Sequence, residues 1–122
     1  MEKIFLISGA LSGALAVMLG AFGAHALKSS LSLDLLDTFE TAVRYQMYHA
    51  LALVAAAFAF SRYGPSNLLS AAGLLVISGT LLISGSLYLL AATNIKWLGA
   101  ITLLGGIAFI AGWLCLALGV WR

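Results

Sequence analysis

The residues with the widest chemical capacity in this chain fall close together. Asp34, Asp37, Glu40, Arg44, Tyr45, Gln46, Tyr48 and His49 occupy one short stretch, with His25 upstream. The stretch holds three of the four acidic residues and one of the two histidines, in a chain that is otherwise mostly hydrocarbon, Gly, Ser and Thr. The spacing is helical. Glu40 and Arg44, Arg44 and Tyr48, and Tyr45 and His49 are each four apart, so one helix would present them as a ridge, with Gln46 to one side. Arg44 would pair an anionic head group, and the imidazoles and phenols would supply switchable hydrogen bonds. The ligand-binding candidates are therefore His25, Glu40, Arg44, Tyr45, Gln46, Tyr48 and His49.

A purely structural role competes with that reading. Arg and Tyr near a helix end commonly snorkel to the headgroups. An exposed Glu40–Arg44 pair would be worth only a few tenths of a kcal/mol. His25 would cap its own helix end, and His49 would hydrogen-bond across a bundle. Enzymatic signatures are absent: there is no Ser-His-Asp arrangement, no metalloprotease helix motif and no phosphate loop. No catalytic residue, metal or cofactor is assigned. Two histidines without an assured carboxylate are an incomplete ligand set. Cys115 is alone in an apolar run and reads as a small packing residue.

These residues must be positioned within a very apolar chain. Of 122 residues, 63% are hydrophobic and 8% charged, against roughly 25% charged in soluble domains. The net charge of +2 is small and unclustered, which excludes a nucleic-acid-binding surface. The bilayer is the implied solvent. Spans are expected over about 4–27, 46–61, 68–93 and 97–121, with an amphipathic segment over about 33–45. The first run ends in an Ala24-His25-Ala26 pattern that resembles a signal-peptide cleavage site. It is too long for the usual h-region of about 7–15 residues, and it reads as a span.

Ser32 is a fair N-cap, and no Gly or Pro interrupts the chain from there to Ser61. One long helix is expected, its first third at headgroup level, where it would act as a lid or interfacial strut. His25 and His49 are expected at similar shallow depth on one side. Gly64-Pro65 and Asn94-Ile95-Lys96 mark turns, and Trp97 and Trp121 bracket the last span as interfacial anchors. The result is an up-down-up-down four-helix transmembrane bundle with both termini on one side. Lys and Arg counts tie across the bilayer, and the termini are read as cytoplasmic.

Helix association in lipid needs close backbone approach. Gly9, Gly13, Gly20 and Gly23 form a stripe on the first span. Gly105, Gly112 and Gly119 recur every seven residues on the fourth, and Gly79 belongs to a similar series on the third. A bundle this small has few interior faces, so at least one stripe is expected to face another copy in a homo-oligomer.

Gly20-Ala21-Phe22-Gly23-Ala24-His25-Ala26-Leu27, then Phe39 and Ala42 through Leu53, resemble a small bacterial inner-membrane family of unknown function, number 423 in its catalogue. That family is similar to eukaryotic transmembrane protein 256. Ser84-Gly85-Ser86-Leu87-Tyr88, Ile101-Thr102, Gly105-Gly106 and Gly112-Trp113 continue the resemblance over nearly the whole chain. Leu103 departs from it, since the family often has Pro there, which puts in doubt a kink early in the fourth helix. The resemblance implies an integral plasma-membrane protein of a few helices and no established activity.

The expectation is therefore an all-α, non-enzymatic module of the bacterial plasma (inner) membrane. It would bind a lipid, small ligand or protein partner through a shallow polar pocket. The alternatives are an oligomeric pore or small-solute transporter, and a metal- or haem-binding redox protein using His25 and His49.

Overall fold

The computed structural model describes residues 1–122 and is entirely helical. Helix α1 runs Glu2–Phe22 and continues through a π-helical turn, Gly23–Leu27. The Ser32 hydroxyl accepts the Leu35 N–H at 3.2 Å and starts α2, Leu33–Tyr63, with Asp34 in the first turn. There the helix dipole favours an acid. Gly64, at φ 86°, ends α2, and Pro65 follows. Only glycine adopts that φ readily. Ser66 caps α3, Asn67–Thr93, by accepting the Leu69 N–H at 3.0 Å. Asn94 turns the chain in the left-handed region, and α4 runs Leu98–Trp121.

The segments Glu2–Leu27, Asn67–Thr93 and Leu98–Trp121 are long and apolar enough to cross a membrane. The polar start of α2 keeps it from that class by composition, yet α2 packs between α1 and α3 over most of its length. Phe39, near its start, lies against Gly23 of the π turn and against the Tyr88 ring at 5.2 Å. The first third of α2 therefore stays docked along the bundle through Phe39 and Ala42, with its opposite face exposed, and does not fold across the mouth. The molecule is a four-helix transmembrane bundle, and its termini lie at the same end.

The helices follow a chain of pairings, α1 on α2, α2 on α3 and α3 on α4. Contact between α2 and α4 is slight, and α1 and α4 are held apart by the other two. Small residues line the α1–α2 and α3–α4 pairings. Gly9, Gly13, Gly20 and Gly23 lie against Ala50, Met47, Val43 and Phe39 of α2. Gly105, Gly112 and Gly119 receive Ile83, Val76 and Leu69 of α3, while Gly79 receives Phe109 of α4. The expectation that one stripe faces another copy is thus corrected: every one of these glycines is occupied within the protomer.

Phe5, fully buried, reaches across from α1 to lie over Gly73 of α3. It also meets Phe60 edge-on, centroids 6.4 Å apart. With Leu53, Val76, Ile83 and Phe109 it forms the apolar centre of the bundle.

Candidate functional site

The expected polar ridge divides into three surroundings. In the first, Gln46 is buried and joins three helices. Its side-chain amide donates to the Ser12 carbonyl of α1 at 2.9 Å and accepts the Tyr88 hydroxyl of α3 at 2.6 Å. Beside it, the Ser84 hydroxyl of α3 donates to the Ala42 carbonyl of α2 at 2.8 Å. These bonds border a groove of about 340 Å³ that opens between α1 and α3 over a floor of α2.

The groove comes from divergence. Phe5 ties α1 to α3 at one end, and beyond it both helices follow α2 separately. Ser8, Leu11, Ser12 and Leu15 line one wall, one face of a helix at steps of three and four. Thr80, Ser84, Gly85 and Tyr88 line the other. Ser12 lies about 15 Å along its helix from Glu2 and about 22 Å from Leu27, so the groove sits near mid-depth.

Most hydroxyls on these helices bond their own preceding turn, as Ser78 does with Leu74 and Thr80 with Val76. The Ser8 and Ser12 hydroxyls make no bond within the chain and border the groove instead. Gln46 also keeps one amide hydrogen beyond its bond to Ser12.

The second surrounding is aromatic. His49 is buried between α2 and α4. Its ring lies flat on Phe109, with centroids 3.4 Å apart and planes within 6°. Tyr45 stacks against both rings at slightly over 6 Å. The Trp113 indole N–H donates to His49 Nε2 at 3.1 Å, and His49 Nδ1 lies 2.8 Å from the Tyr45 carbonyl. Indole nitrogen is only a donor and carbonyl oxygen only an acceptor. Nδ1 therefore carries the proton, and Nε2 has its lone pair engaged.

The third is the exposed face of α2. Asp37, Glu40, Arg44 and Tyr48 lie on it. Arg44 donates to the Thr41 hydroxyl at 3.1 Å and does not close an ion pair with Glu40. His25 is exposed on the π turn and has no hydrogen-bond partner in the chain. Because Gly23 packs on Phe39 while Gly13 packs near Met47 and Ala50, His25 and His49 differ in depth by more than two helical turns. The structure does not bring them together, correcting the expectation of similar depth.

Several groove residues escape a reading by motif. Ser8 and Ser12 are ordinary small residues in an apolar run, and Ser84 and Tyr88 look like general interhelical bonders. Their signal is the four-residue step on each helix, which puts both polar pairs on the walls of one groove. Trp113 and Phe109 resemble lipid-facing or core aromatics until α4 is placed beside His49.

Fold and site together define a small multi-pass helical membrane protein with a laterally open, mostly apolar groove bordered by a few polar side chains. Residues 19–106 match the family described as Protein of unknown function (DUF423), and the chain belongs to that family. A UPF0382 membrane protein of Bacillus subtilis, YwdK, is 46% identical over 92% of this chain and 91% of its own length. A UPF0382 membrane protein of Staphylococcus saprophyticus is 45% identical over 98% of both chains. Another, from Staphylococcus aureus strain USA300, is 45% identical over 98% of this chain and 97% of its own. No solved structure matches the chain. The protein is an integral, multi-pass bacterial membrane protein.

Proposed function

We propose that the protein is a non-enzymatic membrane module that takes a lipid-soluble ligand into the groove between α1, α2 and α3. The observation that carries this reading is the groove's content. About 340 Å³ of space opens sideways near mid-depth, and Ser8 and Ser12, whose hydroxyls make no bond within the chain, line it. An acyl or prenyl chain fits its apolar walls of Leu11, Leu15 and Leu81. A carbonyl or hydroxyl on that chain would meet Ser8, Ser12 and the spare Gln46 amide hydrogen. A phosphate headgroup would not, because the polar groups lie too deep. Of the ligand-binding candidates on α2, this reading keeps Gln46 and moves the site inward from the expected shallow pocket.

Native mass spectrometry from a mild detergent tests it, comparing wild type with Gly85→Leu. Gly85 lines the groove, and a Cβ added there meets nothing within 4 Å. The leucine is expected to narrow the mouth of the groove without displacing a helix. The wild type is expected to carry a defined apolar mass that the variant lacks, with equal helix content in both. A wild type that carries none, or a variant that retains it, removes the reading.

A further inference from the structure

The exposed face of α2 is out of place in lipid. Ser84 of α3 bonds Ala42 of α2 about 14 Å along α3 from its end at Thr93. Arg44 stands two residues further in, and Glu40 about half a turn nearer the surface. Both are exposed, and so are Asp37 above them and Tyr48 below at 53%. The stripe then continues into Leu51 and Phe58, exposed at 63% and 67%. Charged groups at this depth normally face a bundle interior or a partner. Here the single bond that Arg44 makes is to Thr41, and Glu40 accepts none.

The stripe lies between the flanks of α2 that meet α1 and α4. Those two helices stand apart, so no other helix of the protomer covers this face of α2. The glycine stripes are consumed inside the protomer. This charged face is therefore the surface that still lacks a covering.

We infer that a second copy of this chain covers it, through two α2 helices side by side. The occupant follows from charge complementarity. Copies inserted in the same sense place their α2 helices parallel and at equal depth. A two-fold axis along the membrane normal then sets Glu40 of each copy diagonally against Arg44 of the other. Such an interface is self-complementary, each residue making its contact twice. Acid and base one helical turn apart satisfy that symmetry, whereas a stripe of one sign would repel its copy. The low dielectric of a water-free seam makes each pair stronger than it would be in water. Below the charges, Tyr48, Leu51 and Phe58 continue the seam with apolar contact. This inference uses none of the groove residues and stands apart from the ligand reading.

Two charge reversals test it, Glu40→Arg and Arg44→Glu. Each alone gives a stripe of nearly one sign, and the two together in different copies restore complementarity. The readout is oligomeric state by native mass spectrometry in mild detergent and by subunit photobleaching in lipid vesicles. Helix content by circular dichroism checks that each variant folds. Wild type is expected to be dimeric. Each single variant is expected to lose homodimer by about tenfold or more, and co-expression of the two, differently tagged, to recover heterodimer. A monomeric wild type in both media, or single variants whose homodimers persist, overturns the inference. So does failure of two folded variants to form heterodimer.

Discussion

Trp113 of α4 donates its indole N–H to Nε2 of His49 on α2 at 3.1 Å, and that bond decides the protonation pattern of the imidazole. The other nitrogen has no choice but to donate, since its partner 2.8 Å away is the Tyr45 carbonyl. His49 is thus a neutral, doubly bonded link where α2 approaches α4. The arrangement bears on the redox alternative as well. A metal at Nε2 would have to displace Trp113, and His25 lies more than two turns away along the bundle axis.

Nitrogen-resolved NMR of histidine-labelled protein is accordingly expected to show His49 as the Nδ1–H tautomer. Adding zinc at equimolar concentration is expected to leave its ring signals unmoved while those of exposed His25 broaden. Trp113→Phe removes the donor and keeps most of the ring volume. It is expected to cost about 0.5–1.5 kcal/mol of stability, as interhelical hydrogen bonds in membranes do, and to release the tautomer preference. An Nε2–H signal in the wild type would contradict the geometry.

The glycines divide into two groups that thermal denaturation in detergent separates. At Gly9 an added Cβ would stand 2.8 Å from the Ala50 carbonyl oxygen, and at Gly112 it would stand 3.1 Å from the Val76 side chain and 3.3 Å from the Ala72 carbonyl oxygen. Backbone atoms yield little, so Gly9→Leu and Gly112→Leu are expected to lower the midpoint by several degrees or to abolish the folded species. At Gly106 nothing lies within 4 Å. Gly106→Leu is expected to be neutral or slightly stabilising, because Leu is the better helix former by somewhat under 1 kcal/mol. Equal effects at all three positions would mean that close packing is not what these glycines provide.

That division also shows what the sequence could and could not disclose. Periodicity exposed the helices, their caps at Ser32 and the turn at Gly64-Pro65, because these depend on residues near one another in the chain. It marked Gly9 and Gly112 as packing positions for the same reason, and the family was recognisable from the motifs around His25 and His49. Which helix each stripe meets is a matter of assembly. Seven-residue recurrence is equally satisfied by a neighbour inside the bundle or by another copy. The candidate site was hardest to read, because Gln46 and Tyr88 are distant in sequence and meet only when α2 and α3 are in register. The same holds for His49 and Trp113. Glu40 and Arg44 were placed on one face correctly, yet four-residue spacing does not dictate that they pair, and Arg44 turns to Thr41.

The Tyr88–Gln46 bond, at 2.6 Å, is the shortest polar tie across the groove and lends itself to a double-mutant cycle. Tyr88→Phe leaves the Gln46 carbonyl oxygen without its donor. Gln46→Leu leaves the Tyr88 hydroxyl without its acceptor and also releases the Ser12 carbonyl of α1. Gln46→Leu is expected to be the more damaging of the two. The coupling energy is expected at about 0.6 kcal/mol, the average for interhelical hydrogen bonds in membranes, and no more than about 1.7 kcal/mol. Strict additivity in reversible unfolding would show that the two side chains do not act as a pair.

Phe5 and Gly73 make the direct tie between α1 and α3, and their contact explains why the groove has a closed end. The ring occupies the space where any Cβ at position 73 would lie. Gly73→Leu and Phe5→Ala should therefore differ in kind. The leucine collides with the ring and is expected to push α1 off the bundle, seen as loss of the folded species. Phe5→Ala removes the knob and leaves a space that lipid chains partly fill. Its cost is expected at about 2–3 kcal/mol, below the range for Phe truncation in water-soluble cores, since a ring moved to lipid loses packing but little hydrophobic free energy. Combining the two changes tests the relation directly. With the ring gone, leucine at position 73 has room, so the double variant is expected to be more stable than Gly73→Leu alone. A double variant no better than the single one would mean that the leucine acts on something other than Phe5.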